Sequence, residues 1–183
     1  MLIWVALLAI IAFSAVSYRL GKAKAVRISK GVRTHSRPNY LGAYVALWAG
    51  VPAAILLALF IMFGGRVEHA WLSANPPAVV KALPSEQAEV FYSDAVTLSK
   101  GKKAQGFYEG ELKAALDVKA KEAKSQRAML TTGVMALAAL LALAGMLIAL
   151  PRITVDFRGR NRVETWIRGI LIACSAVAVL TTL

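Results

Sequence analysis

One cysteine, Cys174, occurs in 183 residues, so no intramolecular disulfide is available and packing and hydrogen bonds must hold the fold. Cys174 lies in an apolar stretch and reads there as a small packing residue. Histidine is nearly as scarce, with His35 and His69 far apart in sequence. No alternation of apolar and polar residues marks a strand, and there is no internal repeat or low-complexity tract, so the expected fold class is all-α. Also missing is a glycine-rich loop followed at fixed spacing by Lys and Ser or Thr, which would turn backbone donors and one cation onto phosphate oxygens. Ser99-Lys100-Gly101-Lys102-Lys103 comes nearest and reads as a solvated turn. No nucleophile has a visible base and oxyanion hole. The expectation is therefore no enzyme, no catalytic, cofactor-binding or metal-ligating residues, and no cofactor.

Charge is absent where it matters most. Residues 1–18, 40–63, 129–150 and 166–183 hold no Lys, Arg, Asp or Glu apart from Arg168, which is near enough to an edge to snorkel. The chain is 58% hydrophobic with a mean hydropathy of +0.58, which suits a bilayer better than water. At about 1.5 Å per residue the second and third stretches reach roughly 33–36 Å, enough to cross a hydrocarbon core of about 30 Å. Four transmembrane helices are expected.

The net charge of +12 is unevenly spread. Residues 19–39 carry Arg19, Lys22, Lys24, Arg27, Lys30, Arg33 and Arg37 with no acid between them. Residues 151–168 carry Arg152, Arg158, Arg160, Arg162 and Arg168 against Asp156 and Glu164, whereas residues 64–128 are near balance. Positive charge beside spans stays in the cytoplasm, so both basic segments are expected as loops on that side. The N-terminus and residues 64–128 are then periplasmic, and His35 and His69 fall on opposite faces. Charges follow rather than precede residues 1–18, the polarity of an N-out anchor and not of a signal peptide. The first basic segment lacks interleaved aromatics and is clamped between spans, so it reads as facing lipid and not nucleic acid.

Local signals divide the chain into a membrane hairpin at 1–63, a small helical domain at 64–128 and a second membrane hairpin at 129–183. Tyr40, Tyr44 and Trp48 share a helical face at the cytoplasmic end, where aromatic rings favour the interface. Gly42, Ala46 and Gly50 recur at spacing four, a small-residue stripe for helix packing. Pro52 should loosen that helix and Gly64-Gly65 should end it. Pro84-Ser85 opens a predicted amphipathic helix over 85–99, with Ala88, Phe91, Ala95 and Leu98 on one face and a stop at Gly101. Helical spacing resumes at Phe107 and, past Gly110, is predicted to run unbroken into the third span. Acid-before-base pairs at Glu109 with Lys113 and Asp117 with Lys121 would support it.

The stretch Asp156-Phe157-Arg158-Gly159-Arg160-Asn161-Arg162-Val163-Glu164, continuing through Trp166-Ile167-Arg168-Gly169-Ile170-Leu171 to Leu180-Thr181-Thr182, resembles a permease of phosphate ABC transporters. Specifically it is similar to the segment opening the permease core of PstC-type subunits. Ser17-Tyr18-Arg19-Leu20-Gly21, His35-Ser36-Arg37-Pro38 and Gly42-Ala43-Tyr44-Val45-Ala46-Leu47-Trp48 resemble the N-terminal extension of the long proteobacterial form. The resemblance implies an inner-membrane importer of inorganic phosphate, with a second permease subunit, ATP-binding subunits and a periplasmic phosphate-binding protein as partners. The sequence stops within what would be the first core helix, so no transport-path residue carries over. Arg158, Arg160, Asn161, Arg162 and Glu164 form the signature loop, with a topological role expected and Glu164 pairing with Arg160 or Arg168. The expected role is structural or docking, with a small membrane sensor or scaffold bearing a periplasmic helical domain as the alternative.

Overall fold

A computed structural model describes residues 2–29 and 35–182. Lys30 and Arg33 of the first basic segment, with Met1 and Leu183, lie outside the described residues. Among those described there are six helices and no strand: α1 (Leu2–Ile28), α2 (Pro38–Ser73), α3 (Ala78–Lys81), α4 (Ser85–Ser99), α5 (Gly110–Ala149) and α6 (Gly159–Thr182). Four of them, α1, α2, α5 and α6, are long and apolar enough to cross a membrane. The all-α expectation and the number of candidate spans hold.

The helices exceed the apolar stretches, and the excess corrects several boundaries. Residues 19–28, expected in a loop, are the last turns of α1, because a helix at the edge of apolar surface can present Arg and Lys to water without breaking its backbone hydrogen bonds. Gly64 and Gly65 do not end α2, which continues to Ser73. A glycine costs a helix roughly 1 kcal/mol, too little to end one that is anchored by buried Leu57 before the pair and by buried Glu68 and Leu72 after it. Pro52 also sits inside α2. Pro38 is the first helical residue, where its missing N–H is no loss. At 36 and 40 residues, α2 and α5 span roughly 54 and 60 Å, well beyond one hydrocarbon core.

The chain divides into two compact units, Met1–Leu57 with Ala136–Leu183, and Ala58–Met135. In the first, Ala25, Leu41, Tyr44, Val45, Ala149, Ile153 and Val163 form a buried core from all four long helices and the α5–α6 turn. Small residues set the spacing. A Cβ on Gly21 would meet the Val45 side chain at 2.7 Å, and one on Gly145 would fall on the Trp48 backbone carbonyl. Backbones can approach this closely only where the side chain is absent.

In the second unit, α4 covers the predicted residues, and Phe91, Tyr92 and Ala95 are buried against Leu72, Val80, Leu116 and Ala123. Gly101 follows with φ of 75°, the left-handed turn that ends the helix. Phe107 and Tyr108 precede α5 and are not its first turn, because the chain turns through Gly110 at φ of 57°. From Gly110 the helix is continuous to Ala149, as the sequence predicts. The acid–base pairs expected on it are absent among the described ion pairs. Instead Lys119, almost fully buried, bonds Glu122 at 2.8 Å, since burial makes an unpaired ammonium costly whereas exposed pairs gain little.

Gly145→Leu should destabilise the chain by about 1–3 kcal/mol, read as a lower midpoint of thermal unfolding by circular dichroism in detergent. Gly133→Leu, where a Cβ would meet nothing within 4 Å, should stay within about 0.5 kcal/mol of the parent.

Candidate functional site

Within the first unit, α1 turns a stripe of small and polar residues towards α2. A Cβ on Gly42 would meet the Tyr18 carbonyl oxygen at 2.8 Å, and one on Gly50 the Ser14 hydroxyl at 3.0 Å. The Ser14 hydroxyl donates to the Ala46 carbonyl at 3.0 Å, adding to that oxygen's helical bond without breaking it. Gly42, Ala46 and Gly50 therefore meet this chain's own first helix. Ser17, fully buried, lies on the same α1 stripe.

The other gathered surface is the end of this unit where α1 finishes, α2 begins and α5 turns into α6. Lys24 on α1 donates to the Leu150 carbonyl at 2.6 Å, placing a cation just past the C-terminal end of α5 on a carbonyl that also accepts from the Ile153 N–H at 3.3 Å. The His35 N–H donates to the Val155 carbonyl at 3.4 Å. The Arg160 N–H at the start of α6 donates to the Ser36 hydroxyl at 3.2 Å, so a residue distant in sequence caps α6. These bonds bring the two basic segments to one end of the unit, as the charge pattern requires.

Aromatic rings form the floor of this end. Tyr44 lies 4.8 Å from Phe157, Trp48 lies 5.8 Å from Trp166, and the Arg152 guanidinium stands 5.3 Å from the Trp48 ring. Tyr44, expected at the interface, is buried in the core instead, because Phe157 of the connecting turn covers it.

The signature segment is only partly a loop. Arg158 precedes α6, whereas Arg160, Asn161, Arg162 and Glu164 occupy its first turns. Ser36 supplies the cap that starts the helix earlier than the apolar run. Glu164 accepts from Arg160 at 2.7 Å, one of its two expected partners. Arg158 and Arg162 are exposed. Cys174 is a free thiol exposed on α6.

The second unit holds an arrangement that sequence reasoning missed. Asp94 on α4 is 3% exposed, and its carboxylate accepts from the Gln105 N–H at 3.0 Å, the Gly106 N–H at 2.8 Å and the Tyr108 hydroxyl at 2.9 Å. Burial alone would raise this carboxyl, but the three donors outweigh it and hold it below the usual carboxylate range. Burial, then the bond to Asp94, pushes the Tyr108 phenol up to about 12. The clamp fixes the segment between α4 and α5 and leaves Phe107 89% exposed. Its only sequence signal was an acid on the apolar face of an amphipathic helix. Nearby on the chain, Lys119, Glu122 and Gln126 form a second polar chain on α5, with Gln126 donating to Glu122 at 3.1 Å.

His35 belongs to the first unit and His69 to the second. Among the described residues no three His, Cys, Asp or Glu gather as a metal site would require.

A family model described as phosphate ATP-binding cassette transporter matches residues 7–181. No curated protein and no solved structure matches the chain.

Asp94→Ala should cost about 1.5–3 kcal/mol through the stranded donors, and amide hydrogen exchange by mass spectrometry should show residues 100–109 losing protection first. In the parent chain, protection is full above the unfolded Asp value of about 3.9 and falls as pH drops through the lower folded value. On the alkaline side it is full below the unfolded Tyr value of about 10 and is lost as pH rises through about 12.

Proposed function

The chain belongs to the phosphate ATP-binding cassette transporter family, and from that premise we propose that it is a membrane permease subunit, or the N-terminal part of one, in an importer of inorganic phosphate. The observation that carries this reading is the family match over residues 7–181, which takes in nearly all of the four candidate spans. In this role the stretch docks and stabilises and performs no catalytic step. Its proposed partners are a second permease subunit, an ATP-binding subunit and a periplasmic phosphate-binding protein.

The proposed location is the bacterial inner membrane, multi-pass, with the N-terminus in the periplasm. The support is electrostatic. Arg19, Lys22, Lys24, Arg27, Arg37, Arg152, Arg158 and Arg162 all belong to the end of the first unit joined by the Lys24, Ser36 and His35 bonds, and positive charge beside spans is retained in the cytoplasm. Residues 64–128, near charge balance in the sequence, are the proposed periplasmic helical domain.

Affinity purification from the native membrane in mild detergent should recover the other permease and the ATP-binding subunit, and deletion of the gene should reduce phosphate uptake at least tenfold. A thiol reagent that does not cross membranes should label Ser99→Cys in intact spheroplasts but leave Arg158→Cys unlabelled until the membrane is opened. Recovery of the chain alone with unchanged uptake would overturn the transporter role, and reversed labelling would overturn the orientation.

A further inference from the structure

The first unit contains an apolar groove of about 360 Å³ between α2 and α6, lined by Val51 and Ile55 on one helix and Trp166, Gly169, Ile170 and Ala173 on the other. Nothing in the described chain fills it, and α6 from Leu171 onward is exposed on every side. These helices are long and apolar enough to cross a membrane, so the medium beside the groove is hydrocarbon.

The chemistry at one end of the groove selects its occupant. Arg162, Trp166, Gly169 and Ala173 follow one another at helical spacing on one face of α6, so Arg162 stands one turn beyond the groove towards the basic end. On α2, Trp48 precedes Val51 by three residues and carries the Arg152 guanidinium over its ring. Trp48 and Trp166, 5.8 Å apart, close the apolar part just where the cations begin. Neither Arg152 nor Arg162 takes part in the ion pairs among the described residues, and both are exposed. Arg160, by contrast, is bound to Glu164.

We propose that this groove is a binding site for an anionic phospholipid, with an acyl chain along Val51, Gly169 and Ala173 and the headgroup phosphate between Arg162 and Arg152. Two guanidiniums supply the charge-assisted donors a phosphate accepts best, and the tryptophan pair sits at the depth where headgroup gives way to chain. A neutral helix from another protein would fill the groove but leave the two cations without counter-charge. The proposal rests on the membrane character of the helices.

The test is native mass spectrometry of the full chain released from nanodiscs holding equal phosphatidylglycerol and phosphatidylcholine. The parent should retain phosphatidylglycerol roughly tenfold over phosphatidylcholine. Arg152→Gln with Arg162→Gln should abolish that preference, and Arg152→Lys with Arg162→Lys should keep most of it. Gly169→Leu places a side chain in the groove, with its Cβ in open space, and should release both lipids. Equal retention by the parent, a preference that survives the glutamine pair, or full retention by Gly169→Leu would each overturn the site. A photoreactive residue at Ala173, used in native membranes, should capture phospholipid, and capture of a protein in its place would also overturn it.

Discussion

Backbone approach in the membrane unit depends on places where a side chain is missing. Gly42 lets the Tyr18 carbonyl and ring of α1 reach α2, and Gly145 lets α5 reach the Trp48 carbonyl. In hydrocarbon, apolar side chains gain little by leaving lipid for one another, so close van der Waals contact and hydrogen bonds must provide the specificity of packing. The Ser14 bond to Ala46 and the Lys24 bond to Leu150 follow from that proximity. Once α1, α2 and α5 are set, the turn after α5 brings Phe157 onto Tyr44, and Ser36 meets the first turn of α6.

The second unit is held by different physics. Its core is an ordinary water-excluding cluster of Phe91, Tyr92, Leu72, Val80 and Leu116, where apolar burial does stabilise. Superimposed on it are charges that burial would penalise and that local partners rescue: Asp94 by three donors, and Lys119 by Glu122 and the Leu72 carbonyl at 3.4 Å. The Asp94 clamp makes a long connection between α4 and α5 into a defined surface, with Phe107 projecting from it.

Membership of the phosphate ATP-binding cassette transporter family gives these two units a common setting. In the first unit the gathered surfaces pack helices and present cations. The exposed face of α6 and the groove beside it are among the apolar surfaces that the described residues of the membrane unit leave uncovered, as are parts of α1 and α5.

Much was legible in the sequence because hydrophobicity and charge are read residue by residue. The four apolar stretches, the helix over Ser85–Ser99, the unbroken course of α5 and the pairing of Arg160 with Glu164 all depend on neighbours within a turn or two. Helix ends were less legible, since Gly64-Gly65 and residues 19–28 are only weak local breakers and both lie inside helices. The partner of the Gly42, Ala46 and Gly50 stripe, the cap that Ser36 places on α6 and the burial of Tyr44 join residues far apart in the chain. By itself the sequence determined an all-helical membrane chain with two basic segments. Only the tertiary structure decided which carbonyls Lys24 and Lys119 meet, because that depends on how closely the helices pack, which local pattern does not encode.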